Sequence, residues 1–107
     1  MNALAYATIA SGTTISSPVL LGRAQHLMAF LPALTSCQIG VEAAPTAQAV
    51  AGDFRKVLVS SGSPLTIFPG SAAAAVNLDA VLPAASLRFV ASVAQGADRL
   101  IALAISF

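Results

Sequence analysis

S-L-R-F-V-A-S-V at 86–93, A-Q-G-A-D-R at 94–99 and L-I-A-L-A-I-S-F at 100–107 form the stretch whose reading decides the fold. In the first run Leu87, Phe89, Ala91 and Val93 fall on one face, with Arg88, Val90 and Ser92 on the other. In the last run Ile101, Leu103, Ile105 and Phe107 alternate with Leu100, Ala102, Ala104 and Ser106. Alternation with a period of two lets one face of an antiparallel sheet bury while the other stays outside. Gln95-Gly96-Ala97-Asp98 carries turn chemistry between the runs, with Gly96 free to take positive φ. The spacing predicts a terminal hairpin, and with it an all-β chain.

Working outward from that end, the same pattern recurs upstream. Residues 4–10 predict a first strand, with Leu4, Tyr6 and Thr8 on one side and Ala5, Ala7 and Ile9 on the other. Ser11-Gly12-Thr13 closes it with a turn. Residues 13–22 read as an edge strand or two short pieces, because Pro18 has no N–H for a central ladder. Between Gly22 and Pro32 there is too little length for a stable helix, so 25–31 predicts a strand with Leu27, Ala29 and Leu31 inward. At 35–43, Cys37, Ile39, Val41 and Ala43 alternate with Ser36, Gln38, Gly40 and Glu42, which places Glu42 toward water.

The middle of the chain is less patterned. Residues 44–52 read as a small-residue loop that allows a helical turn at 46–51. A strand is expected at 53–60, ended by Ser60-Ser61-Gly62-Ser63-Pro64, and a short one at 65–68, stopped by Pro69-Gly70. After the alanine run at 72–75, the chain is expected to return to strand at 76–79, ahead of Pro83. Turn signals recurring roughly every 8–12 residues point to a β-sandwich or barrel, and the expectation adopted is a single antiparallel β-sandwich, jelly-roll-like, spanning 1–107.

Charge is the compositional feature that says most about function. Only 8% of the 107 residues are charged, against roughly a quarter in ordinary domains, and the net charge is +1. Arg23, Arg55, Lys56, Arg88 and Arg99 are scattered, whereas tracking phosphates needs a basic stripe; no nucleic-acid partner is expected. The uncharged runs at 1–22 and 57–78 lack a signal peptide's basic start and a spanning helix's unbroken apolar length, so no membrane partner is expected either. Cys37 is the one cysteine and cannot form an intrachain disulfide; its alternation with Ile39 and Val41 reads as an apolar filler.

Catalytic chemistry is poorly supplied. Glu42, Asp53, Asp79 and Asp98 are dispersed, and His26 has no second histidine or cysteine at ligand spacing. There is no G-x-S-x-G elbow and no phosphate-binding glycine loop. The expectation is a protein without catalytic residues, metal or cofactor, and not an enzyme.

The order of features along 5–105 resembles a group of small structural proteins of tailed bacteriophages. The resemblance rests on A-T-I-A-S-G-T-T-I-S at 7–16, V-L-L-G-R at 19–23 and F-L-P at 30–32. It continues in S-L-R-F-V-A-S-V at 86–93, Gln95, and A-D-R-L-I-A-L at 97–103. This chain departs from the group's pattern after Pro32, where Ala33-Leu34-Thr35 replaces a tryptophan-bearing segment, and in its alanine-rich middle. The resemblance implies a compact β-sandwich unit of a virion and leaves its place there open; the leading expectation is a protein that decorates or cements the head, with the major capsid protein or other virion proteins as partners. The alternative is a tail or fibre component acting as a host-glycan adsorption module.

One face of the last strand is the candidate for contact with such partners. Leu100, Ala102 and Ala104 leave the side opposite Ile101, Leu103 and Ile105 nearly apolar, and Asp98-Arg99 supplies an adjacent acid and base. One small domain has one core, so a second apolar face calls for a neighbour. Homo-oligomers are expected, trimers before dimers.

Overall fold

The computed structural model describes residues 2–35, 37–46, 51–58, 62, 65–67 and 72–107. Among the described residues nine strands follow one another: β1 (Asn2–Ile9), β2 (Val19–Leu20), β3 (His26–Leu31), β4 (Ile39–Ala44), β5 (Arg55–Lys56), β6 (Thr66–Ile67), β7 (Ala74–Asn77), β8 (Ser86–Ala91) and β9 (Arg99–Ser106). Short 3-10 turns occupy Ala51–Asp53 and Asp79–Val81.

The pairing is nested. β1 pairs with β9, β2 with β8, β3 with β7 and β4 with β5, all antiparallel. Pairing of β3 with β9 and of β4 with β8 then joins these into a four-stranded sheet, β1-β9-β3-β7, and a five-stranded one, β2-β8-β4-β5 with β6 also on β4. This is the strand order of a jelly roll, and the all-β antiparallel sandwich expected from the sequence is the fold observed.

The same topology overturns the terminal hairpin. β8 lies in the five-stranded sheet and β9 in the four-stranded one, so the segment 92–98 crosses between sheets instead of turning within one. A period-two pattern fixes which side of a strand is buried, not which strand lies beside it. Here the inward residues of the two runs meet across the sandwich: Leu87, Phe89 and Ala91 from β8, and Ile101, Leu103 and Ile105 from β9, are all buried in one cluster. Burying a side chain such as Phe89 contributes roughly 2–3 kcal/mol.

What the sequence presents as a polar turn is a corner built around buried Gln95, 3% exposed. Its Oε1 accepts the Thr35 N–H at 2.9 Å, and its Nε2 donates to the Thr35 and Val93 carbonyls, each at 3.2 Å. Glycine at 96 is not in the left-handed region; that conformation falls to Gly12, Gly22 and Gly62. Phe107 also departs from expectation. It is 44% exposed, because the β9 ladder ends at Ser106 and leaves the ring outside the sandwich.

Several shorter elements follow from competing hydrogen bonds. The chain at 13–22 is two pieces: Ile15 bridges Val90, and Val19–Leu20 pairs with β8. Between them Ser16 Oγ accepts the Phe89 N–H at 2.8 Å and Ser17 Oγ accepts the Thr8 N–H at 3.1 Å, so two serines stitch the two sheets together around Pro18. β4 starts at Ile39 rather than 35, since Gln95 holds the Thr35 backbone and Ser92 Oγ takes the Gln38 N–H. Cys37 is buried, its thiol donating to the Gln38 carbonyl at 3.3 Å.

Within 53–60 the described residues hold β5 at Arg55–Lys56, 59–60 lying outside them, and the strand expected at 76–79 begins within the alanine run and ends at Asn77. Asp79 instead opens a 3-10 turn. Residues 47–50, 59–61, 63–64 and 68–71 lie outside the described residues, and with them most of the helical turn at 46–51 and the Pro69-Gly70 stop.

Candidate interaction face

The outer side of the four-stranded sheet is built by register. Tyr6 on β1 stands opposite Ala102 on β9, Ala102 opposite Phe30 on β3, and Phe30 opposite Ala75 on β7. One row along, Leu4, Ala104, Met28 and Asn77 stand in the same order. Leu100 follows on the far side, opposite Thr8. Residues directly opposite in an antiparallel pair share a face, so these side chains form one surface.

That surface is apolar and open. Leu4 is 58% exposed, Leu100 52%, Tyr6 51%, Phe30 45% and Met28 39%. Scattered exposed hydrophobics are ordinary; a contiguous set of them is not. No Asp, Glu, Lys or Arg stands in either row. Within these two rows size alternates across the sheet, larger on β1, smaller on β9, larger on β3 and smaller on β7, while Leu100 on β9 lies beyond them.

At one end the face is closed by a polar cluster. Asp79 Oδ1 accepts the Leu27 N–H at 2.7 Å, and its Oδ2 lies 3.2 Å from His26 Nδ1. The Asp79 N–H donates to Asn77 Oδ1 at 2.8 Å. The Leu27 amide, seconded by the His26 side chain, holds the Asp79 carboxyl below its ordinary value of 3.8. His26, Asn77 and Asp79 rim a shallow hollow of about 230 Å³ floored by Met28 and Ala104. Among the described residues no group of three or more His, Cys, Asp or Glu side chains is placed to hold a metal ion.

Of the residues singled out from the sequence, Leu100, Ala102 and Ala104 do share this face. Asp98 and Arg99 are set apart from it. Asp98 Oδ1 accepts the Ser11 N–H at 2.7 Å and so ties the turn after β1 to the corner before β9. Arg99 stands opposite Ile9, on the inner side of the sheet, with its Nε buried. Leu4, Tyr6, Met28 and Phe30 complete the face and were not singled out. Their signal was present in the chain, as large apolar residues at the outward positions of both strands that flank β9.

No family model matches the sequence, and no curated protein matches it. In structure the chain is similar to the SPBc2 prophage-derived protein YomS, known from a crystal structure, with a TM-score of 0.59 and 10% sequence identity. The likeness covers 99% of this chain and 96% of that one. At this identity it is a likeness of fold over the whole chain.

Proposed function

We propose that this protein is a structural component of a bacteriophage virion, decorating or cementing the head, and that it works as a homo-oligomer. The observation that carries the reading is the uncharged outer face of the four-stranded sheet, with Leu4, Tyr6, Met28, Phe30 and Leu100 all open to solvent. A surface of this kind is left exposed on an isolated chain and covered in an assembly. Two further points support a phage setting: the whole-chain likeness to a prophage-derived protein, and a jelly-roll order that recurs in viral capsid domains. Nothing in the proposal calls on a catalytic group.

The test is co-sedimentation of purified protein with emptied capsids and, separately, with isolated tails of the phage that encodes it. Saturable binding to capsids at a fixed ratio to the major capsid protein is the expected result. Binding to tails alone would move the protein to the tail or fibre. Tyr6 and Phe30 flanking Ala102 would then be tested against host glycans, since exposed aromatics suit sugar rings. Binding to neither particle would remove the virion reading.

A further inference from the structure

We infer that the partner of the outer face of the four-stranded sheet is a second copy of this chain, docked face to face about a two-fold axis between β9 and β3. The inference names the partner of the face used above but needs no virion, so the two can fail separately.

The argument is one of shape. In the two central rows the outward side chains run larger, smaller, larger, smaller across the sheet: Leu4 and Tyr6, Ala102 and Ala104, Met28 and Phe30, Ala75 and Asn77, with Leu100 of β9 lying beyond these rows. A two-fold axis lying in the contact plane, along the line midway between β9 and β3, maps this series onto its reverse. β3 of one copy then lies over β9 of the other, and β1 over β7. Phe30 enters the furrow at the partner copy's Ala102, Met28 that at its Ala104, and Tyr6 faces its Ala75. In these two rows every larger side chain meets a smaller one, which is the condition for two corrugated faces to interdigitate. An axis along β9 itself would set large on large and small on small. A three-fold arrangement joins unlike patches and makes no use of the alternation, so the geometry favours a pair over the trimer expected from sequence.

Charge and area agree. The two rows carry no formal charge, so two identical faces meet without repulsion. Four strands of 8, 8, 6 and 4 residues, about 4.8 Å apart and rising about 3.4 Å per residue, give a projected face of roughly 400 Å². Stable interfaces take about 800 Å² per partner and the smallest specific ones about 500. The face lies at the small end for a specific pair, its side-chain relief adding to the projected area, so a weak, exchanging dimer is expected and the test is set around a dissociation constant on the order of micromolar.

Equilibrium sedimentation over a concentration series tests this. The wild-type chain moves from 10.7 kDa toward twice that mass as concentration rises. Ala102→Glu places a carboxylate where the partner's Phe30 must sit, and weakens pairing by about a hundred-fold. Phe30→Lys, which removes the knob, does the same. Mixed together, these two variants pair again: in the mixed pair one contact becomes Glu against Lys and the other is unchanged. Both positions point outward, and circular dichroism and melting of each variant at low concentration establish that it is folded. A wild-type chain that stays monomeric to about a hundredfold above the expected constant, or that forms trimers, overturns the inference. So does pairing that survives Ala102→Glu, as an edge-to-edge contact through β1 would. Folded variants that fail to pair again when mixed overturn the two-fold register.

Discussion

The two sheets bury the same kind of inner face and treat their outer faces in opposite ways. Outward from the five-stranded sheet, Arg88 and Glu42 stand opposite each other, with Arg88 Nη2 and Nε both 2.7 Å from Glu42 Oε1. The guanidinium also lies 4.5 Å over the ring of Phe54, a buried side chain in the segment between β4 and β5. The two charged side chains are left only 14% and 17% exposed. Outward from the four-stranded sheet the equivalent positions hold Leu100, Ala102, Ala104, Met28 and Phe30, with no segment of the described chain laid across them. The part of that outer face around Arg88 and Glu42 is covered from within the chain, although Leu20 on β2 stays 61% exposed. The outer face of the four-stranded sheet is left open to solvent among the described residues. Low charge is thus not spread evenly over the molecule; it marks one side.

The comparison is broken most severely from inside, where both sheets depend on one core. Ile39→Asp places a carboxylate at a fully buried position of β4 and is expected to cost about 4 kcal/mol or more, enough to unfold the chain. Gln38→Asp, one residue away and exposed, should change stability by no more than about 0.5 kcal/mol. Urea denaturation of the two variants gives the difference directly. Equal midpoints would mean that the inward side of β4 is misassigned.

A smaller effect sharpens the contrast between the outer faces. Glu42→Ala leaves the Arg88 guanidinium largely enclosed without its acceptor and should cost about 2–3 kcal/mol. The double change Glu42→Leu with Arg88→Leu removes both charges and should recover all but about 1 kcal/mol of that. If the single variant melts like the wild type, the Arg88–Glu42–Phe54 cluster is not what covers that part of the five-stranded sheet's outer face.

The smallest expected effect lies at the rim of the open face. Asp79 has a depressed pKa in the folded chain, so its contribution is fully present above the ordinary carboxylate value of 3.8 and is lost as pH falls through the lower folded value. Wild type should therefore lose its melting-temperature advantage over Asp79→Asn as pH is taken from about 6 to about 2. The advantage is small, because the carboxyl is open to solvent. A gap that widened on acidification would contradict the hydrogen bond from Leu27.

The sequence made faces legible and left neighbours hidden. Alternation in residues 4–10, 25–31, 86–93 and 100–107 grouped Ala7 with Ile9, Leu27 with Ala29, Leu87 with Phe89 and Ile101 with Leu103, all buried, because side-chain direction is local and has period two; Val93 and Phe107, at the ends of their runs, are exposed. Pairing is not local. Gln95 looked like a turn residue because its partner, the Thr35 backbone, lies 60 positions away. A corner between sheets and a hairpin turn draw on the same polar residues, so 94–99 supported either. The candidate face shows the same division. Leu100, Ala102 and Ala104 were readable from one strand, whereas their union with Tyr6 and Phe30 depends on β9 lying between β1 and β3.

The most direct test is how fast Met28 oxidises. Its side chain sits on the open face, while Lys56 is exposed on the five-stranded sheet. Purified protein is treated briefly with dilute peroxide at concentrations below and above the association range, and Met28 sulfoxide is measured by mass spectrometry. Lys56 modification by an amine reagent is followed in parallel samples. Oxidation of Met28 should slow several-fold as the chains associate, with Lys56 unchanged. Association that leaves Met28 as reactive as in the dilute chain, or that protects Lys56 instead, would contradict the claim that the face of the four-stranded sheet is the one built to be covered.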